Sequence, residues 1–134
     1  MILTFKPQFV EPIKAGTKIH TIREDKNNRW KQWTKIQFWN GNPRNVKANP
    51  HQFQSGVCTD VKGIVIDFEN NDILIIGENI EDDSLITGIN ELNKFARNDG
   101  FESWESLKQW FFNEYGKNRF FHGRLIYFKV YATR

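Results

Sequence analysis

Gly16-Thr17-Lys18-Ile19-His20-Thr21-Ile22-Arg23 is the stretch of this chain that says most about its fold. Glycine adopts a positive φ without steric cost, so Gly16 predicts a turn that ends the segment before it. Residues 19–23 are rich in β-branched side chains, which favours a strand. Two cations, a hydroxyl and an imidazole therefore gather beside a turn. Such a group can bind an anion or polarise a carbonyl.

The rest of the chain predicts a mixed α+β domain that covers residues 1–134. Apolar residues at helical spacing, a serine N-cap at Ser103 and glycines at the ends predict two helices, over 89–98 and 104–115. A short helix or turn is expected over 7–15, and an irregular segment over 45–55. Strands are predicted over 1–5, 19–23, 35–39, 57–68, 73–76 and 120–131. The expected architecture is a curled sheet of about five or six strands, with two helices inserted before the last strand.

Composition and charge restrict the functional classes. The net charge is +3, but residues 1–62 hold 11 Lys or Arg against 4 Asp or Glu, so the positive charge lies in the half with the Gly16–Arg23 stretch. A local positive field attracts polyanions such as RNA. Cys58 is the only cysteine and the three histidines lack metal-ligand spacing, so we expect neither a metal nor a cofactor. With no apolar run of about 18 residues, no membrane span and a cytoplasmic location are expected.

The pattern Gly-x-Lys-x-x-x-x-Arg, formed by Gly16, Lys18 and Arg23, resembles the signature of the ASCH domains. These are small β-barrel modules of the PUA-like superfamily. Three further segments resemble that family in the same order: 35–39 a barrel strand, 95–103 the helical insertion, and 123–131 the closing strand. The resemblance implies a PUA-like barrel that binds RNA or a modified nucleoside in a cleft beside the Gly16–Arg23 turn.

The resemblance also implies an alternative function, because some ASCH members are amidohydrolases that act on acetylated cytidine. Their catalytic lysine, threonine and acid fall on Lys18, Thr21 and Asp99, the last in place of a glutamate. Ile19 and His20 stand where those members carry threonine and isoleucine. A threonine hydroxyl needs a base to become a nucleophile, and a lysine serves as that base only when its pKa is lowered. Lys18 and Thr21 are three residues apart and converge only if Lys18 lies in the turn rather than in the strand.

Aromatic residues in the polar loop that follows suggest how a base could be held. Trp30 and Trp33 lie among cations, an arrangement that suits stacking of unpaired bases. The expected ligand-binding residues are therefore Gly16, Lys18, His20, Arg23, Trp30 and Trp33. A second alternative remains open, in which exposed Trp30 and Trp33 form a protein-interaction surface and no small ligand is bound.

Overall fold

The computed structural model describes residues 1–132 and has an α+β architecture, as the sequence predicts. Over that range it contains seven strands: β1 (Ile2–Phe5), β2 (His20–Arg23), β3 (Lys35–Asn40), β4 (His51–Asp67), β5 (Asp72–Ile76), β6 (Ser84–Ile86) and β7 (Phe120–Val130). The α-helices are α1 (Val10–Ala15), α2 (Ile89–Asn98) and α3 (Trp104–Tyr115). The two longer helices, α2 and α3, precede the last strand, as predicted.

All seven strands form one mixed sheet that is centred on β4 and β7. β3 and β5 pair antiparallel with successive parts of β4, while β7 pairs antiparallel along its other side. β2 continues the sheet beyond β7 in antiparallel register, and β6 continues it beyond β5. β1 pairs with β3 and is the parallel member. The final strand is therefore central, which brings β2 beside the long β4–β7 ladder.

The sheet is not closed into a barrel, and on this point the expected architecture is wrong. Within residues 1–132, β1 pairs only with β3 and β2 pairs only with β7, so both have a free edge. The strand count is seven instead of five or six because the three-residue β6 has too few residues to show an alternating pattern. β4 also begins at His51, inside the segment expected to be irregular. Its polar first residues conceal the strand that pairs with β3.

The predicted helix ends are confirmed. The Ser103 hydroxyl accepts a hydrogen bond from the backbone N–H of Ser106 at 3.1 Å, which satisfies one free donor at the start of α3. α3 ends at Gly116, and α2 ends just before Asp99 and Gly100. No helix in residues 1–132 combines the length and the apolar character needed to cross a membrane.

The core lies between one face of the sheet and the helices. Phe38, Ile64, Ile66, Leu125 and Ile126 come from the strands, and Leu92, Phe95, Trp104, Leu107 and Phe111 come from α2 and α3. The loop between α1 and β2 is fixed at the edge of this core by two backbone bonds. Ile19 N–H donates to Asn98 O at 2.8 Å, and Phe128 N–H donates to Ile19 O at 3.1 Å. These bonds hold the loop between the end of α2 and the central strand.

Candidate active site

Lys18 lies in the turn between α1 and β2, the position that allows it to converge with Thr21. Gly16 has a φ of 78° and ends α1, and the backbone N–H groups of Thr17 and Lys18 then both donate to Pro12 O at 3.0 Å. β2 begins only at His20. Lys18 therefore precedes the strand, and the alternation of side chains along a regular strand does not apply to it. Its side chain and that of Thr21 line the same cavity.

Asp99 reaches this cavity from the opposite side, at the C-terminal end of α2. Its own N–H still bonds to Phe95 O at 3.1 Å, and the next residue, Gly100, has a φ of 93°. A Cβ at Gly100 would lie 2.8 Å from Lys18 Cδ and 3.1 Å from Phe9 Cδ1. Glycine is thus required there both by the backbone conformation and by the close approach of the lysine side chain.

Lys18, His20 and Asp99 form a buried polar cluster. Lys18 Nζ donates to His20 O at 2.8 Å and to Asp99 O at 2.5 Å, and it lies 3.6 Å from Asp99 Oδ1. The same carboxylate oxygen is 2.7 Å from His20 Nδ1. The three residues are only 2–3% exposed. The ammonium also sits where α2 ends, a position that favours a cation.

Burial lowers the pKa of Lys18 from 10.5 to about 8. The cost of removing the ammonium from water is the main cause, the negative charge of Asp99 opposes it, and the positive charge of Arg23 adds to it. Lys18 therefore loses its proton close to neutral pH. A lysine that is neutral in an appreciable fraction of molecules can act as a base, which an ordinary surface lysine cannot.

The cavity in front of this cluster measures about 280 Å³, and aromatic side chains form a large part of its lining. Its aromatic lining comes from β1, the turn after it, the α2–α3 connection and α3: Phe5, Phe9, Phe101, Trp110, Phe111 and Tyr115. Lys18, Thr21, Arg23 and Asp99 supply polar groups. Lys6 and Glu114, which also line the cavity, form an ion pair between the chain after β1 and α3. The cavity thus combines apolar aromatic rings with a few convergent polar groups, as small-molecule sites do.

Arg23 lies along the cavity wall, and one of its hydrogen-bond donors has no partner within residues 1–132. One guanidinium nitrogen, Nη2, donates to Thr4 O at 2.8 Å, and the group stacks over Phe5 at 4.9 Å. Its Nε is buried and has no hydrogen-bond partner within residues 1–132. An unmet buried donor costs about 1–3 kcal/mol. Burial lowers the pKa of Arg23, although the group remains a cation.

The two tryptophans expected to hold a base do not line the cavity. Trp30 is 5% exposed and belongs to the core, so the interpretation of this residue as an exposed loop aromatic is wrong. Its backbone N–H bonds to Asp25 Oδ2 at 3.1 Å, which turns the loop inward. Trp33 is 67% exposed but lies outside the cavity lining. The indole at the cavity is Trp110 of α3, which the helical pattern alone assigns to packing.

Gly16 and His20 also lie outside the cavity lining, so neither is placed to touch a ligand there. Gly16 shapes the turn that carries Lys18. His20 lies behind Asp99, with its ring 4.8 Å from that of Phe95 and 5.4 Å from that of Tyr127. Gly16 therefore affects the site through the position of Lys18, and His20 affects it through the position of Asp99.

Among the residues that the structure describes, no group of three or more His, Cys, Asp and Glu side chains is placed to hold a metal ion. Comparison of the chain with protein-family models, curated proteins and solved structures finds no match. The likeness to ASCH domains therefore rests on the residues and segments quoted in the sequence analysis.

Proposed function

We propose that this chain is an ASCH-like protein that binds a single modified nucleoside in the cavity and hydrolyses an acyl amide on its base. The observation that carries the proposal is the convergence of Lys18, Thr21 and Asp99 on one aromatic cavity, with the pKa of Lys18 lowered to about 8. A PUA-like relationship, in which the sheet remains open, is part of this proposal. It is supported by the Gly16–Arg23 signature and by the two helices before the last strand.

The size and lining of the cavity favour one base over a polynucleotide. Ligand pockets commonly span about 300–1,000 Å³, and the 280 Å³ here lie just below that range. The aromatic rings offer faces for stacking a planar heterocycle. Arg23 offers a donor to a carbonyl oxygen, so an acylated base can place its flat ring among the aromatic residues and its acyl group beside the cluster.

The hydrogen bonds of Lys18 fit a neutral amine that acts as a base. An amine retains two N–H donors, and two backbone oxygens, His20 O and Asp99 O, are present to accept them. The lone pair then remains to take a proton from Thr21 or from a water. Because Lys18 Nζ is bonded to these carbonyls and not to Thr21, the ligand or one water has to complete the contact.

The reaction follows from these positions. The Thr21 oxygen attacks the acyl carbon while Lys18 takes its proton, and the tetrahedral intermediate expels the amine, which receives a proton from Lys18. An ester to Thr21 remains. Water then attacks the ester, again giving its proton to Lys18, and Thr21 recovers a proton as the carboxylic acid leaves. Asp99 stabilises the lysine in its charged form, and Arg23 lies near enough to the cavity to stabilise negative charge on the acyl oxygen.

The test is hydrolysis of N4-acetylcytidine by the purified protein, followed as release of cytidine. We expect turnover in the wild type, and its loss in Lys18→Met and Thr21→Val. Trp33→Ala, which alters an exposed residue outside the cavity, is the matched control and should retain the wild-type rate. A folded wild type that releases no cytidine, or a Lys18→Met variant that retains the rate, would show that the proposed reaction is wrong.

A second candidate is binding of a nucleoside or an unpaired RNA base without turnover. It is favoured by the ion pair of Lys18 with Asp99 and by its two carbonyl contacts, all of which stabilise the charged form. The excess positive charge of residues 1–62 supports it as well. In that case RNA affinity should fall steeply with salt, and cytidine should compete for the site. The third candidate, a protein-interaction surface, retains only Trp33, because Trp30 is buried.

A further inference from the structure

His20 has a role that the proposed reaction does not use. It contributes no atom to the cavity lining, yet its imidazole contacts the Asp99 carboxylate at 2.7 Å, one of the short side-chain contacts of the buried cluster. A carboxylate accepts hydrogen bonds only, so Nδ1 carries the proton and donates it. The histidine thus acts on the site through Asp99, and the contact determines where that carboxylate lies.

His20 and Lys18 compete for one oxygen. Asp99 Oδ1 is 2.7 Å from His20 Nδ1 but 3.6 Å from Lys18 Nζ. The first distance is that of a charge-assisted hydrogen bond, and the second lies beyond the usual limit of about 3.2 Å for a hydrogen bond. The lysine, which could otherwise pair directly with the carboxylate, instead directs its hydrogen bonds to two backbone oxygens.

The imidazole is fixed in this position from three sides. His20 lies opposite Tyr127 in the β2–β7 register, and the ring packs edge-on against that tyrosine. Its face stacks on Phe95, which is one helical turn before Asp99 on α2 and therefore on the same side of the helix. Lys18 Nζ holds the His20 backbone oxygen. Because α2 supplies both the stacking ring and the carboxylate, the imidazole and Asp99 keep a constant separation.

We propose that His20 is a positioning residue that holds the Asp99 carboxylate away from Lys18, so that the Lys18 amine can exchange its proton with the bound ligand. This inference rests on the proposed function, because it assigns Lys18 the part of a base. Without the imidazole, the carboxylate is free to form a direct, hydrogen-bonded pair with the lysine in place of the present 3.6 Å ion pair. A direct pair stabilises the ammonium and makes the lysine a poorer base.

The charged and titratable groups around the pair are few. The charged groups near Lys18 are Asp99 at the end of α2 and Arg23 on β2, and Lys18 Nζ also donates a hydrogen bond to His20 O. On its other side, His20 lines a second cavity of about 210 Å³, to which Glu91, Lys94 and Tyr127 also contribute. Burial raises the pKa of Tyr127. Glu91 and Lys94 are exposed to solvent, whereas Asp99 is in direct contact with the imidazole, so Asp99 is the group through which a change at His20 reaches Lys18.

The test compares three substitutions that treat the Nδ1 donor differently. His20→Asn keeps an amide N–H near the position of Nδ1, His20→Gln moves the amide towards the position of Nε2, and His20→Phe keeps the stacking ring without a donor. The Lys18 pKa is measured from its side-chain NMR signal, which is assigned by its absence in Lys18→Met. We expect a wild-type value for His20→Asn, and an increase of about one unit or more for His20→Gln and His20→Phe.

The same variants change the pH–rate profile if the lysine is the base. An increase of one unit reduces the neutral fraction at pH 8 from about one half to about one tenth, so the rate there should fall about fivefold and recover at higher pH. A merely structural role for His20 would lower the rate at every pH and leave the pKa of Lys18 unchanged. If His20→Phe does not fold, the polar pair His20→Asn and His20→Gln still gives the comparison.

The inference is wrong if His20→Gln leaves the Lys18 pKa at the wild-type value, or if His20→Asn raises it as far as His20→Gln does. Failure of the proposed function gives a different result. A wild type that hydrolyses no acylated nucleoside, but whose Lys18 pKa rises in His20→Gln and not in His20→Asn, would remove the reaction and support the positioning role.

Discussion

Lys18 should make the stability of this protein increase with pH in a window where most proteins become less stable. Its pKa is about 8 in the folded protein and 10.5 in an exposed lysine. Between these values the unfolded chain binds a proton that the folded chain has lost, so the free energy of unfolding rises with pH. The difference of about 2.5 units, at about 1.4 kcal/mol per unit, corresponds to roughly 3 kcal/mol.

The assay is urea unfolding of the wild type and Lys18→Met at pH 7, 8, 9, 10 and 10.5. Other groups titrate in the same range: burial raises the pKa values of Cys58, Tyr115 and Tyr127, and each of these groups makes the protein less stable as pH rises. They contribute to both proteins. The difference in unfolding free energy between the wild type and the variant therefore isolates the lysine.

We expect the wild type to gain about 3 kcal/mol relative to Lys18→Met from pH 8 to pH 10.5, with little relative change from pH 7 to 8. Burial of the ammonium is the physical reason, since below pH 8 the folded protein bears the cost of a desolvated cation. A difference that stays constant across the whole range would refute the reasoning. It would mean that Lys18 remains charged in the folded protein and that its contacts fully offset its burial.

Three further outcomes are expected. Gly100→Ala should destabilise the protein by about 2 kcal/mol or more in urea unfolding, because of its positive φ and the approach of Lys18 Cδ. Gly16→Ala, at a glycine with a positive φ but open space, should cost less, and equal losses would contradict the packing argument. Trp110→Ala should weaken binding of acetylcytidine about 5- to 100-fold in calorimetric titration, because it removes about 1–3 kcal/mol of stacking. Trp33→Ala should leave the affinity unchanged. A loss of affinity in Trp33→Ala but not in Trp110→Ala would place the base at the exposed loop. Turnover should rise with pH and reach a plateau above about pH 8, since the neutral lysine is the base, and a rate that falls over that range would exclude this role.

The helices could be predicted because their signals are local, whereas the sequence does not determine whether Asp99 reaches Lys18. Ser103 and Gly116 mark the ends of α3, and a carboxylate at the C-terminal end of α2 opposes the helix dipole and therefore favours a nearby cation. Lys18 is that cation. The turn at Gly16 was also a local signal, and it removes Lys18 from the strand alternation that would have separated it from Thr21.

The aromatic side of the site could not be predicted, because it depends on tertiary packing. Trp30 and Trp33 lie in equally polar sequence, yet the backbone N–H groups of Arg29 and Trp30 donate to the Asp25 carboxylate and Trp30 lies in the core, while Trp33 stays exposed. Trp110 looks like any other residue of an apolar helical stripe. Only the contacts of α3 with Phe9 and Phe101 show that its indole is at the edge of the core, where a cavity opens.

The prediction of a closed barrel is wrong for a related reason. The strand pattern specifies which residues alternate, but closure depends on whether the first and last partners meet around the sheet. Here β1 joins β3 in parallel and β2 joins the far side of β7, and within residues 1–132 no strand pairing links the two edges. A parallel neighbour for β1 has no signature in a four-residue strand. The long β4 likewise begins in polar residues that resemble a loop.

Two of the departures of this chain from the ASCH pattern, those at positions 20 and 99, meet in a single hydrogen bond. Asp99 is one methylene shorter than the glutamate of the ASCH amidohydrolases whose pattern this chain resembles, and His20 stands where they carry isoleucine. A shorter carboxylate at the end of α2 leaves room beside it, and the imidazole of His20 occupies that side at 2.7 Å. Each change alone would leave either an unpaired buried donor or an unfilled space, both of which are costly. Together they form a cluster in which the lysine keeps an acid beside it at 3.6 Å and remains free to lose its proton.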